Sequence, residues 1–158
     1  MTTGNLQKEL MKDIGGIFEK GLFKDSLGKY GSLNIYAQNL PIREDEDAPD
    51  PVPYIIVRIL DGKIKGWVEA QEVQVMLILG CFDDNLNNDG HETLLELIQK
   101  ISERFLKNPI LANQFVFLND EQHPFEWALQ EEESFPYFFG AVSMTFKTAA
   151  IRTEDKYA

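Results

Sequence analysis

Between Asp83 and Glu92 the chain reads DDNLNNDGHE, which gathers three aspartates, three asparagines, a histidine and a glutamate into one stretch. Three kinds of chemistry use such residues. Calcium binding is the first. Asp83, Asn85, Asn87 and Asp89 fall at positions 1, 3, 5 and 7 of an EF-hand loop, but Asn88 stands where glycine is needed, at position 6, and Leu94 where the bidentate glutamate is needed, at position 12. A strand-like run also precedes the stretch, where an EF-hand requires a helix. Zinc binding is the second. His91 and His123 are the only two histidines and lie 32 residues apart, with no second soft ligand near either in sequence. His123 precedes Pro124 and is expected in a turn. Acid–base catalysis is the third, with Asp89, His91 and Glu92 supplying carboxylates and an imidazole. Nothing elsewhere in the sequence supports that pairing.

A structural reading explains the same residues with fewer assumptions. Asn and Asp ease a turn from strand to helix. Asn88 or Asp89 can cap the first free N–H groups of the helix that follows. Asp89 and Glu92 have capping-box spacing, and both acids favour the positive end of a helix. The sequence therefore predicts no catalytic, cofactor or metal residue in this chain. No G-x-S-x-G, glycine-rich phosphate loop or paired cysteine occurs either.

The elements around the stretch follow from hydrophobic spacing. Leu6, Leu10, Met11, Ile14, Ile17 and Phe18 form a helical stripe, with Gly21 as a stop and Gly15 and Gly16 as weak points. SLNIYAQNL alternates as a strand around Leu33, Ile35 and Ala37. Residues 43–53 lie in a run rich in proline and acids, which reads as an exposed loop. YIIVRIL, then Asp61-Gly62, then KIKGWVEA reads as a strand, a two-residue turn and a return. EVQVMLILGCF reads as a central strand with Val73, Val75, Leu77 and Leu79 on one face. Cys81 within it reads as a small core residue. Leu94, Leu95, Leu97, Ile98, Ile101, Phe105 and Leu106 mark the strongest helix, ended by Asn108-Pro109. QFVFL, FEWALQ and YFFGAVSMTFKTAAI follow as strands, with Phe138, Val142, Met144 and Phe146 on one face of the last. In EEESFPYFFG, Phe135, Tyr137, Phe138 and Phe139 could serve a core strand or a protein–protein contact. Residues 152–158 read as a loose tail. The sum is a single α+β domain over residues 1–158, a mostly antiparallel β-sheet with two helices packed on one face.

Composition narrows the functions further. The 158 residues carry a net charge of −11, 26 acids against 15 bases, which argues against a grip on nucleic acid. A lone cysteine cannot form an internal disulfide. The longest apolar run, VMLILGCF, is too short for a bilayer, and the N-terminus lacks a signal-peptide layout. A soluble protein made in the cytoplasm, without a membrane partner, is expected.

The order and spacing of PYIIVRILDGKI, VQVMLILGCFDD, GHETLLELIQKISERFL and QEEESFPYFFGAVSMTF resemble the tail terminator or tail-completion proteins of long-tailed bacteriophages, over roughly residues 33–150. The resemblance implies an α+β sandwich of sheet and helices without a catalytic motif. It implies a homo-oligomeric ring, usually of six copies, at the head-proximal end of a phage or prophage tail. Such a ring ends polymerisation of the tail tube protein and offers a surface to the head–tail connector protein. It is assembled in the bacterial host cytoplasm and resides in the virion tail. DNA leaving the capsid would pass through the lumen, where an acidic wall would repel it. Two alternatives remain at this point: a head–tail joining or minor tail protein, and a small metal-dependent or acid–base enzyme built around Asp83, Asp89, His91 and Glu92.

Overall fold

Helical spacing in the N-terminal segment produces α1 (Thr3–Ile17), whose Leu6, Leu10 and Ile14 are fully buried, with Phe18 just beyond them. The computed structural model describes residues 3–66 and 70–148. Gly21 closes the segment by donating its N–H to the Phe18 carbonyl. The second stripe produces α2 (His91–Lys107), which buries Leu94, Leu97, Ile98, Ile101 and Phe105; Leu95 and Leu106 stay exposed at its margin. Asn108, in extended backbone, ends it before Pro109.

A short hairpin pairs β1 (Phe23–Lys24) with β2 (Tyr30–Gly31). The main sheet contains β3 (Asn34–Ala37), β4 (Tyr54–Lys63), β5 (Glu72–Phe82), β6 (Ile110–Leu111), β7 (Phe115–Leu118), β8 (Glu126–Leu129) and β9 (Tyr137–Lys147). Its order is β3-β4-β5-β9-β7-β6, with β8 also on β9. Every pairing is antiparallel except β3 with β4. A parallel pair needs a long crossover to return the chain. The proline-rich acidic segment, residues 38–53, makes that connection, which gives it a geometric role composition alone did not show. The segment is mostly exposed through Asp50, but Val52 and Pro53 are buried.

The turn expected at Asp61-Gly62 is not formed. β4 continues through both residues, which pair with Gln74 and Val73 of β5. Gly62 does not adopt the positive φ a two-residue turn demands. The chain instead bulges between Ile59 and Asp61 and continues to Lys63. Ile64, Lys65 and Gly66 are outside any strand, so these described residues of the predicted return form none; residues 67–69 of that prediction lie outside the described residues. A long ladder with the more apolar β5 outweighs a local turn preference.

The two central strands, β5 and β9, define two faces. On one, Val73, Val75, Leu77, Leu79 and Cys81 meet Val142, Met144 and Phe146 beneath both helices, forming the main core. Phe105 of α2 packs edge-on against Phe146 at 5.5 Å between centroids. On the other face, Val52, Tyr54 and Ile56 form a second cluster with Tyr36, Ile78, Phe82, Tyr137 and Phe139 at its margin. Gly80 belongs to this face because the Tyr54 ring lies across it; a Cβ there would sit 2.4 Å from the ring. The tail, residues 152–158, lies outside the described residues.

Candidate functional site

The DDNLNNDGHE stretch joins β5 to α2 and is built from turns. The Asp83 carboxylate accepts the Asn85 N–H at 2.9 Å, and the Asn85 amide oxygen accepts the Asn87 N–H at 3.1 Å. Both are local side-chain-to-backbone turns of the kind these residues favour. Asn88 then takes a left-handed φ of 54° and donates to the Asn85 carbonyl. Asp84 reaches sideways to Lys24 on β1, and the bond to that ammonium lowers the Asp84 carboxyl below its ordinary value while raising Lys24. The backbone N–H of Asp83 donates to the Pro136 carbonyl. The stretch is thus pinned to the hairpin on one side and to the start of β9 on the other.

The expected capping box does not form. The residue at the N-cap is Gly90, not Asn88 or Asp89, and no side chain caps the helix. Glu92 N–H donates to the backbone carbonyl of Asp89, and Thr93 N–H to that of Gly90. The physical reason is space. Gly90 is wedged beneath Phe138, whose ring atoms would lie 2.3 Å from an added Cβ, and beside Asp83. Its helical φ of −61° and ψ of −19° start the helix without the extended residue a side-chain cap uses. Glu92 still lies in the first turn, as the helix dipole favours.

Asp83 and His91 line different clefts. Asp83 lines a cleft of about 480 Å³ between the β1–β2 hairpin and the stretch, with Phe23, Lys24, Tyr30, Asp84 and Glu96. His91 lines a different cleft of about 260 Å³, facing Glu131, Glu132, Phe135 and Phe138. His91 and Glu92 are exposed, whereas Asp83 and Asp89 are half-buried. Among the described residues, no group of three or more His, Cys, Asp or Glu is placed to share a metal ion. Cys81 is 3% exposed, and burial pushes its thiol up to about 12, so at neutral pH it is a packed, protonated group.

Three polar junctions gave no sequence signal. Gln38, at a φ of 70°, ends β3, and its side chain takes the next place on the ladder: its amide oxygen accepts the Ile59 N–H at 3.0 Å and its amide nitrogen donates to the Ile59 carbonyl at 2.9 Å. Gln7 of α1 donates to the same Gln38 oxygen and to the Val57 carbonyl, tying helix to sheet edge. Tyr137 donates its hydroxyl to Asp50, and that bond, helped by burial, raises the phenol. This fastens the acidic crossover over the second face, where Leu40, Pro41, Val52, Tyr54 and Phe139 enclose a groove of about 330 Å³. His123 sits in the expected turn but also bonds to Glu72 across the sheet.

The aromatic cluster divides between the two faces. Phe138 packs on the helix-covered core, Tyr137 and Phe139 stack on the opposite face, and Phe135 is 42% exposed. Trp127 on β8 is 52% exposed. Among the described residues no helix is long and apolar enough to cross a membrane. Comparison of the chain with protein-family models and with curated proteins finds no match.

Proposed function

We propose that this chain is a structural subunit without catalytic work, which joins copies of itself into a ring at the end of a phage or prophage tail. The ring, of the six copies the sequence resemblance implies, stops the tail tube protein from polymerising and presents a surface to the head connector. The observation that supports the reading best is a sheet open at unlike edges. Among the described residues, β3 pairs only with β4 at one end of the sheet, while at the other β8 pairs only with β9 and β6 only with β7. Joining unlike edges of successive copies makes a head-to-tail contact, and such contacts close into rings when the rotation permits. Joining like edges would give a two-fold dimer instead. The net charge of −11 per copy suits a lumen through which DNA slides without adhering.

The test uses purified chain alone and with polymerising tail tube protein. Light scattering and electron microscopy should show rings, or tubes of limited length bearing a ring at one end. A chain that stays monomeric in both settings and leaves tube growth unchanged overturns the proposal.

A further inference from the structure

His123 lies in the connection between β7 and β8, and its ring faces a carboxylate on each side. Nδ1 is 2.9 Å from Asp120 Oδ1, and Nε2 is 2.9 Å from Glu72 Oε2. Ionised carboxylate oxygens only accept hydrogen bonds, so both contacts form together only when both ring nitrogens carry protons. Asp120 is fixed as an acceptor, because the same oxygen also receives the backbone N–H groups of Gln122 and His123 at 3.0 and 2.8 Å. Glu72 is the first residue of β5, far from His123 in sequence but across a shallow cleft from it. The ring is mostly shielded, with 16% of its side-chain surface exposed.

We propose that His123 is a pH-operated clasp: as imidazolium it fastens the β7–β8 connection to the start of β5, and on losing a proton it releases that connection. A neutral imidazole can donate to only one carboxylate and turns a lone pair toward the other. The charges around it are mixed. Lys65 lies 3.8 Å from the second Glu72 oxygen, Asp61 and Lys63 at the end of β4 line the same cleft, and Lys147 of β9 pairs opposite Glu72. The hydrogen bond to Asp120, then that to Glu72, raises the His123 pKa above its ordinary value against the opposing effect of burial. The sign follows. A raised folded-state pKa gives stability that is complete below the unfolded value of about 6.5 and is lost as pH rises through the folded value. The clasp is closed below about pH 6.5 and opens as the pH rises through the higher folded-state value. What it holds is the segment leading into the edge strand β8, so release loosens the approach to that edge.

The experiment follows the His123 ring by NMR and the amides of residues 119–125 by hydrogen exchange, corrected for intrinsic rates, across the same pH range. In the wild type, protection of these amides should fall about tenfold as His123 deprotonates, the effect of losing one charge-assisted hydrogen bond. Glu72→Gln should lower the His123 midpoint and flatten the pH dependence of protection; His123→Gln should abolish that dependence. Circular dichroism establishes that both variants remain folded. A His123 midpoint at or below the ordinary value, protection indifferent to His123 titration, or an unaltered pH dependence in Glu72→Gln would each overturn the clasp.

Discussion

A methyl group added at Gly90 would lie 2.3 Å from the Phe138 ring and 2.9 Å from the Asp83 Cβ, and the second of these cannot swing away. Gly90→Ala should therefore destabilise the fold by about 1–3 kcal/mol, the usual cost of overpacking. Gly16 offers the opposite case. Nothing lies within 4 Å of a Cβ there, and the residue is inside α1. Gly16→Ala should stabilise by about 0.5–1 kcal/mol through the unfolded chain's lost freedom. Urea melts of the two variants read both signs, and a stable Gly90→Ala would mean that Phe138 does not sit where α2 begins. Gln38 tests reach rather than volume. Gln38→Asn keeps an amide and tolerates the positive φ, but it is one methylene too short to pair with both Ile59 groups. A loss of about 1–2 kcal/mol is expected, the cost of a part-buried pair left unmade. Unchanged stability would show that the ladder at Ile59 does not depend on this side chain.

Between the two helices, an arginine makes a polar joint. Arg104 of α2 makes a two-pronged pair with Asp13 of α1, both bonds at 2.9 Å, and donates as well to the carbonyls of Asn108 and Ile110. The pair is only 22% exposed on each side, so it is screened less than a surface ion pair. Arg104→Lys keeps the charge but loses the planar fork, and should cost about 1–2 kcal/mol. Asp13→Asn should cost a similar amount, and the double variant less than the sum, since the two act on one interaction. Additive losses in thermal melts would refute a shared clamp. These joints explain what could be read from residue order and what could not. The stripes of α1 and α2 and the alternation in β5 and β9 repeat often enough to mark their buried faces, so the α+β sheet with both helices on one side was legible. The Asp61-Gly62 turn was misread because the preference is local, while β4 gains its partners from β5. The two-residue strands β1, β2 and β6 are too short to show any period. In the polar stretch, the asparagines announced turns correctly. The helix cap was not legible, because the Phe138 ring that forces glycine into the N-cap arrives from β9.

At the scale of the whole molecule, the proposed ring requires that an edge be free in the single copy and used in the assembly. β8 is the edge best suited to a decisive test. It is four residues long, is held to the sheet through β9, and carries Trp127 at 52% exposure. An exposed tryptophan is costly in a lone subunit and valuable in a contact, where large aromatics concentrate binding energy. Trp127→Glu adds a charge where a joint would exclude water, yet removes little from the core of the separate chain. Its effect on monomer stability should stay within about 1 kcal/mol, as for other surface changes. Its effect on assembly should be large: loss of the ring mass in light scattering at concentrations where the wild type assembles, and tubes that outgrow their normal length when the variant replaces it. The wild-type ring should also weaken little with added salt, because an apolar joint gains nothing from long-range charge attraction and the acidic copies repel less when screened. Rings of full mass formed by Trp127→Glu would remove β8 from the joint. Rings that dissolve in salt would replace the apolar edge with a charge-matched contact elsewhere on the surface.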